Sequence, residues 1–209
     1  AVSNGVDGRE YRCGILQMTE DAVICELRFI KEDGVELPSK IYLFQGLPKA
    51  DKMELIIQKA VELGVYQVIP VAAKRCVVKL DEKKEASKLK RWQGIAEAAA
   101  KQSKRGIIPQ VMGCMSFHDA VKMAAAMDVR LIPYELAQGM KETREILSAI
   151  QPGQSVGIFI GPEGGFEEEE VRDAMEAGGK PVTLGKRILR TETAGMTMLS
   201  ILMYTLESV

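Results

Sequence analysis

The segment SVGIFIGPEGGFEEEE, residues 155–170, joins an apolar run to a glycine-rich turn and an acidic stretch. The apolar run at 155–160 predicts a buried strand, and apolar residues at helical spacing predict a helix over 168–177. A strand that passes through a tight turn into a helix is the unit from which parallel sheets are built. This segment therefore predicts an α/β fold.

Strands and helices alternate on both sides of this segment. Apolar runs predict strands over 41–44, 65–71, 129–134 and 181–184. Helical spacing predicts helices from 53 to a stop at Gly64 and over 81–103, 117–126, 141–150 and 193–206. Such alternation implies a parallel sheet with helices on both faces. Trp92 lies on the apolar stripe of its helix, which favours a place in the core over a role in stacking on a base.

The last predicted helix is unusual because it has almost no polar face. Its residues include Met196, Met198, Leu199, Leu202 and Tyr204. A terminal helix that is apolar all round must be buried, either within its own domain or against a second subunit. The pattern therefore favours a homodimer.

The first 37 residues have a different pattern. Tyr11, Cys13 and Ile15 alternate with polar neighbours, and a second alternation follows a turn at Thr19. This is too little chain for an independent sheet, because a lone hairpin is only marginally stable. We therefore expect two units, a partial β-barrel over 1–37 and an α/β domain over 38–209.

The composition excludes several classes of protein. Of the 209 residues 46% are hydrophobic and 27% are charged, as in globular proteins. No apolar run approaches the roughly 20 residues that span a bilayer, and the polar start does not resemble a secretory signal. We expect a cytoplasmic protein without a membrane partner. The four scattered cysteines and the single histidine predict free thiols and no metal site.

Positive charge is concentrated in one part of the chain. Residues 72–106 contain eleven Lys or Arg against four Asp or Glu, a net charge of +7 in a chain whose total is −1. Such a patch would bind phosphates of a nucleic acid. A lysine-rich helix face that is merely solvated fits the charge equally well.

Three predicted strand ends meet at one edge of the sheet, where ligands of α/β proteins bind. They are residues 132–135, 160–165 and 184–190. The glycine-rich turn among them contains Glu163 and leads into Glu167–Glu170, which would repel a phosphate at the helix start. A ligand with an adenosine moiety and no phosphate fits better, and S-adenosylmethionine is such a ligand. A well-capped helix without a ligand is the alternative.

These segments resemble the RsmE family, the 16S ribosomal RNA uridine-N3 methyltransferases of the SPOUT superfamily. The resemblance rests on IGPEGGF with its acidic helix start and on LGKRILRTETAGMTMLSIL, residues 184–202. It extends to KADKMELIIQKAVELGV at 49–65, to Pro70 and Arg75, and to RWQGIAEAAAKQSKR at 91–105 with Pro109. It thus covers nearly all of the chain from Ile41.

The resemblance implies a parallel sheet with a C-terminal trefoil knot, preceded by a PUA-like β-barrel that helps to bind RNA. It also implies a homodimer that acts on 16S ribosomal RNA of the small ribosomal subunit. S-adenosylmethionine would lie bent in the knot, held by the three loops. The residues that we expect to hold it are Ile132, Pro133, Tyr134, Glu135, Ile160, Gly161, Pro162, Gly164, Gly165, Leu184, Gly185, Ile188, Leu189, Thr193 and Ala194.

The chemistry of transfer to N3 suggests further residues. Arg190 is the expected cation for negative charge on the ring oxygens. Glu163 or Glu192 would accept the N3 proton if burial raises its pKa, although Glu192 fits equally well as a helix cap. The residues expected to hold the RNA backbone are Arg75, Arg91, Lys101, Gln102, Ser103 and Arg105.

Three other functions remain open at this level. An RNA-binding protein without enzymatic activity would share the basic helix but would not need the glycine-rich turn. A related knotted methyltransferase could act on tRNA or on a ribose hydroxyl. A phosphate-binding nucleotide enzyme is the third, and the carboxylates of the turn argue against it.

Overall fold

The computed structural model describes residues 9–31, 34–134 and 139–207. Strands and helices alternate through most of this part of the chain, as the sequence predicts. The elements are β1 Glu10–Met18, β2 Val23–Lys31, β3 Lys40–Gly46, α1 Lys52–Glu62, β4 Gln67–Ala72, α2 Glu82–Gln102, β5 Gln110–Val111, β6 Met115–Ser116, α3 Phe117–Ala124, β7 Val129–Pro133, α4 Met140–Ser148, β8 Ser155–Ile160, α5 Glu168–Glu176, β9 Lys180–Val182 and α6 Thr191–Leu206.

The main sheet is parallel, in the order β5-β4-β3-β8-β7-β9, with β6 also paired to β4. Its central strand β3 carries Ile41, Leu43 and Phe44, which are all fully buried. Because both faces of a parallel sheet are covered, its strands are apolar on both sides rather than alternating. The predicted α/β architecture with a parallel sheet is confirmed.

Two apolar cores lie on opposite faces of the sheet. The larger one contains residues of α1, α2 and α6, among them Ile57, Trp92 and Met198. The smaller one packs α3 and α5 against the other face, with Phe44 and Phe159 stacked at its centre. Helices thus cover both faces, and Trp92 is a core residue as predicted.

The helix ends follow local sequence signals. The α2 N-cap is Asp81, whose carboxylate accepts a hydrogen bond from the backbone N–H of Lys84 at 2.8 Å. Gly64 has a φ of +87° just after α1, a conformation that glycine adopts without strain. The predicted start of the last helix at residue 193 is two residues too late, because α6 begins at Thr191. The two-residue strands β5 and β6 have no sequence pattern of their own.

The last helix is only partly buried. Met198, Leu199 and Leu202 are enclosed by the core, whereas Tyr204 is 83% exposed. Burial on all sides within the domain, one of the two expectations for this helix, is therefore wrong. An apolar face of α6 remains open on the surface.

The first two strands form an antiparallel hairpin, as predicted. Thr19 closes its turn through backbone and side-chain hydrogen bonds with Ala22. Large apolar side chains are exposed on both strands, including Ile15, Met18, Val23 and Phe29.

Candidate active site

The loops that follow β7, β8 and β9 enclose a cavity of about 750 Å³ at the carboxyl edge of the sheet. The convergence of three strand ends at one place is thus as predicted. The cavity is lined by Lys52, Arg75, Pro133, Tyr134, Ile160, Gly161, Pro162, Glu163, Gly164, Gly165, Phe166, Glu168, Thr183, Leu184, Gly185, Lys186, Arg187, Ile188, Leu189, Arg190, Thr191 and Ala194.

Most residues expected to hold a cofactor line this cavity, two do not, and a third cannot be placed. Ile132 is 1% exposed and belongs to the smaller core, because its side chain points away from the loops into the packing beside Gly179. Thr193 is exposed and is not part of the lining. Glu135 lies outside the described residues.

The glycine-rich turn needs glycine for steric reasons. A Cβ on Gly161 would lie 2.9 Å from the backbone of Gly165, so any side chain would push the turn open. Gly165 itself has a φ of +69°, and its N–H donates to the Pro162 carbonyl at 2.8 Å. The turn therefore brings bare backbone to the cavity wall.

A buried hydrogen-bond network joins this turn to the start of α6. The Thr191 hydroxyl donates to the Gly161 carbonyl at 2.6 Å and accepts from the Gln45 side-chain amide at 2.9 Å. Gln45 is fully buried at the end of β3, and its amide also donates to the Gly46 carbonyl. The sequence analysis missed Gln45 and Thr191, although a glutamine within an apolar strand is itself a signal of a buried polar contact.

Arg75 is held by the protein rather than free for RNA. Its guanidinium contacts both carboxylate oxygens of Glu167 at 2.9 and 3.1 Å and donates to the Gly164 carbonyl at 2.9 Å. The hydrogen bond with Glu167 raises the pKa of Arg75 and lowers the pKa of Glu167. Arg75 thus ties the glycine-rich turn to the start of α5, and an RNA phosphate would have to compete with Glu167 for its guanidinium.

Three charged side chains meet at one wall of the cavity. Lys52 Nζ lies 3.0 Å from Glu163 Oε1 and 3.4 Å from Glu192 Oε2, and we call these three residues the charge cluster. The backbone N–H of Lys49 also donates to Glu163, at 3.0 Å. The sequence analysis did not identify Lys52, because nothing in the spacing of the three residues indicates that they meet.

The surroundings of Glu163 lower its pKa instead of raising it. Burial raises the pKa of Glu163, but hydrogen bonds from its own backbone N–H, Lys52 and Lys49 outweigh burial, and the net pKa is lowered. For Glu163, the raised pKa on which its role as a base was made conditional is therefore not found. Glu192 lies in the first turn of α6 and makes no capping hydrogen bond, so its interpretation as a helix cap is also wrong.

Arg190 stands at the mouth of the cavity, as predicted from its place beside the loop. It is the N-cap residue of α6 and is exposed. Within the described ranges, no hydrogen bond or ion pair engages its guanidinium. A free guanidinium at this position is available to an anionic group in the cavity.

Arg105 has a structural role rather than the expected role in RNA binding. Its side chain is 5% exposed and pairs with Glu36, and it donates to the carbonyls of Val61 and Val65 at 3.0 and 2.7 Å. Ser103 is likewise used internally, because it is the C-cap residue of α2 and its hydroxyl donates to the Ala99 carbonyl. Neither side chain is free to hold RNA.

The other residues expected to contact RNA lie on the exposed side of α2. Arg91 forms two short contacts with the Glu54 carboxylate, at 2.7 and 2.9 Å. Lys101 pairs with Glu97 one turn away but keeps most of its side chain in solvent, and Gln102 is exposed. These positions are accessible to a partner, unlike Arg105.

The described residues include no group of three or more His, Cys, Asp or Glu side chains that could hold a metal ion. In the same part of the chain, no helix has the length and apolar character needed to cross a membrane.

Comparison with known proteins identifies the family. A family model described as an RNA methyltransferase domain matches residues 35–203. Ribosomal RNA small subunit methyltransferase E of Bacillus subtilis is 42% identical over 204 residues, which cover 96% of this chain and 80% of the relative. The chain belongs to the ribosomal RNA small subunit methyltransferase E family. The resemblance inferred from the sequence is thus confirmed.

Other members of the RsmE family agree with this assignment. The enzyme of that name from Mesomycoplasma hyopneumoniae is 37% identical over 165 residues, or 79% of this chain and 70% of the relative. A crystal structure of ribosomal RNA small subunit methyltransferase E from Neisseria gonorrhoeae, bound to S-adenosyl methionine, has a TM-score of 0.80 and 32% identity. It covers 95% of this chain, and the match spans 79% of that structure.

Proposed function

We propose that this chain transfers the methyl group of S-adenosylmethionine to N3 of a specific uridine in 16S ribosomal RNA. The observation that carries the proposal is the cavity formed by the three loops at the carboxyl edge of the sheet. The relative from Neisseria gonorrhoeae, which shares the fold, is bound to S-adenosyl methionine. S-adenosylmethionine is therefore the cofactor that we assign to this cavity.

The carboxylates beside the glycine-rich turn suit this cofactor better than a nucleoside phosphate, although the exposed cations Lys186, Arg187 and Arg190 also line the cavity. The turn contains Glu163, and the first turn of α5 carries Glu168, Glu169 and Glu170. These carboxylates already occupy the positive end of the helix dipole and would repel phosphate. A sulfonium cation is favoured by the same charges.

The size and the lining of the cavity also fit the cofactor. A volume of about 750 Å³ lies within the usual range of small-molecule sites. We propose that the cofactor is held by the lining residues Pro133, Tyr134, Ile160, Gly161, Pro162, Gly164, Gly165, Leu184, Gly185, Ile188, Leu189 and Ala194.

When bound, the cofactor supplies an electrophilic methyl group for an in-line displacement, so positioning accounts for much of the rate. We propose that Arg190 stabilises the negative charge that develops on the uracil oxygens as N3 loses its proton. This stabilisation makes N3 more acidic, so that a carboxylate with a lowered pKa suffices as the acceptor. Glu163 lines the cavity and takes this role, while Glu192 holds Lys52 from the other side.

The RNA partner would reach the cavity across exposed cations. N3 is on the pairing edge of uridine, so the base must leave its stack or pair before transfer. Arg91, Lys101 and Gln102 on α2 are the exposed positions that we retain as contacts to the RNA backbone. We propose that the chain acts in the cytoplasm.

The proposal also includes a knot and a homodimer. The segment after β9 lines the same cavity as the turn after β8, and Thr191 bonds to that turn before α6 begins. In a trefoil knot, the end of the chain returns to an earlier loop in this way and passes through it. The exposed Tyr204 and the partly exposed Met196 and Met203 of α6 support a contact with a second copy of the chain.

The hairpin supports a separate N-terminal unit. We assign residues 1–37 to a PUA-like β domain and residues 38–209 to the SPOUT domain. A two-stranded hairpin is marginal in water, and the exposed apolar side chains of β1 and β2 are those that further strands of a barrel would cover.

The first experiment is calorimetric titration of the purified chain with S-adenosylmethionine, with ATP as the control. We expect saturable binding of S-adenosylmethionine alone, followed by the appearance of N3-methyluridine when small-subunit RNA is added. A folded protein that binds ATP instead, or binds neither ligand, contradicts the proposal. If the methyl group is transferred to a tRNA or to a ribose hydroxyl, the proposed substrate is wrong and the proposed cofactor is still correct.

A further inference from the structure

The charge cluster brings together residues from three separate parts of the fold. Lys52 is the first residue of α1, Glu163 lies in the glycine-rich turn, and Glu192 is the second residue of α6. With one ammonium and two carboxylates, the cluster has a formal charge of −1. Lys52 and Glu163 line the cavity directly, and Glu192 lies behind Lys52.

Water screens this charge only weakly. The side chains of Lys52, Glu163 and Glu192 are 28%, 27% and 15% exposed. Glu192 Oε2 is buried, and in the part of the chain that the structure describes it has no hydrogen bond, only the ion pair with Lys52. A partly buried charge acts on a nearby ligand more strongly than an exposed one.

Lys52 and Glu163 both hold their charge at neutral pH. The hydrogen bond to Glu163 raises the pKa of Lys52, against a smaller opposing effect of burial. The pKa of Glu163 is lowered because its hydrogen bonds together outweigh burial. Lys52 therefore keeps Glu163 ionised and fixed at the cavity wall.

Methyl transfer removes one positive charge from the cofactor. The carbon–sulfur bond breaks and its electron pair stays on sulfur, while the N3 electron pair forms the new bond to the methyl carbon. The N3 proton passes to Glu163 and from there to water, so that the charge cluster regains its charge of −1. The sulfonium cofactor, with its ammonium and carboxylate groups, has a net charge of +1, and its thioether product is neutral. The charge cluster, with its charge of −1, distinguishes the two. The other cations that line the cavity, Arg75, Lys186, Arg187 and Arg190, are exposed, so water and salt screen them more strongly.

We propose that the charge cluster binds S-adenosylmethionine in preference to S-adenosylhomocysteine and so promotes release of the product after transfer. The inference rests on the proposed function, because it assumes that this cofactor occupies the cavity. Lys52 acts as a positioning residue, since it holds both carboxylates, and the carboxylates supply the preference.

The test is the ratio of two dissociation constants, for S-adenosylhomocysteine and for S-adenosylmethionine, measured by calorimetry on the full chain. Glu192→Gln and Glu163→Gln each remove one negative charge at nearly constant shape. We expect this ratio to fall about tenfold in each variant, or about 1.4 kcal/mol. The affinity for S-adenosylhomocysteine should change less than about threefold by the same scale.

A third ligand and a control variant separate charge from shape. An analogue with an amine in place of the methylsulfonium keeps the positive charge, and it should lose affinity in parallel with S-adenosylmethionine. Glu62→Gln is the matched control, since Glu62 is also ion-paired on α1 and its side chain is 28% exposed, but it does not line the cavity. The ratio of the two dissociation constants in Glu62→Gln should equal the ratio in the parent.

The outcomes distinguish this inference from the proposed function. Equal weakening of all three ligands would mean that the cluster only shapes the turn, and an unchanged ratio would mean that its charge is not sensed; either result overturns the inference. If the parent chain binds none of the three ligands, the proposed function itself fails.

Discussion

Replacement of Arg105 with alanine tests whether this residue serves the fold or the RNA. Its guanidinium makes hydrogen bonds to both oxygens of Glu36 and to two backbone carbonyls, while only 5% of the side chain is exposed. Removal of one partner from a buried ion pair costs about 3–5 kcal/mol. Glu36 keeps two backbone hydrogen bonds, from Gly106 and Ile107, and is 16% exposed, so we expect the lower end, about 3 kcal/mol.

This loss corresponds to a large shift in thermal stability. For a chain of this size, each kcal/mol lowers Tm by roughly 2–4 °C, so Arg105→Ala should lower Tm by about 6–12 °C. Differential scanning calorimetry gives Tm, and urea titration gives the free energy of unfolding. Arg105→Lys keeps the charge but not the planar fork, so it should recover only part of the loss.

Lys101→Ala is the matched control, because Lys101 is on the same helix but its side chain is 70% exposed. Its effect on stability should stay within about 0.5 kcal/mol. The salt dependence of RNA binding is measured in parallel, since loss of one phosphate contact reduces the slope by about 0.7–0.9. An Arg105→Ala variant with the parent's Tm and a reduced slope would refute the structural role.

Three further predictions concern the cavity. Arg190→Ala should abolish methyl transfer, measured by incorporation of labelled methyl groups into RNA, while calorimetry shows nearly unchanged binding of S-adenosylmethionine; parental turnover would remove Arg190 from the mechanism. Thr191→Val should lower the free energy of unfolding by about 1–3 kcal/mol in urea, because the Gly161 carbonyl loses its donor and the buried Gln45 amide loses an acceptor; parental stability and parental cofactor affinity would show that the network is dispensable. The pKa of Glu163 is lowered in the folded chain, so its ionised form adds stability that is present above the unfolded-state pKa of about 4.5 and is lost as pH falls below it. The difference in unfolding free energy between the parent and Glu163→Gln should therefore shrink from pH 6 to pH 3, and a difference that grows in acid would contradict the lowered pKa.

The order of elements and the place of the site were predictable from the sequence because they depend on local patterns. Two patterns predict β8 and α5, the apolar run at 155–160 and the helical spacing after it. Both lie within one short stretch of the sequence. Glycines at 161 and 165 mark a tight turn, in which Gly161 leaves no room for a Cβ and Gly165 has a positive φ. Strand ends of a parallel sheet meet at one edge, so the cavity followed from the elements alone.

The partners of the charged residues were not predictable in the same way. Arg105 and Lys101 look alike in the sequence, yet Arg105 turns inward to a carboxylate 69 residues away and Lys101 turns to solvent. Gln45 is buried beside Thr191, 146 residues further along the chain. Lys52 joins Glu163 and Glu192 only because the start of α1, the turn after β8 and the start of α6 are adjacent in the fold.

The sequence by itself thus determined the secondary structure, the parallel sheet, the family and the edge at which the site lies, since these depend on periodicity and on steric limits within short segments. The tertiary structure alone decided which charges are paired, which are buried and which remain free for a ligand. The physical reason is that an ion pair depends on distance and on exclusion of water, and both are set by chain segments that are remote in sequence.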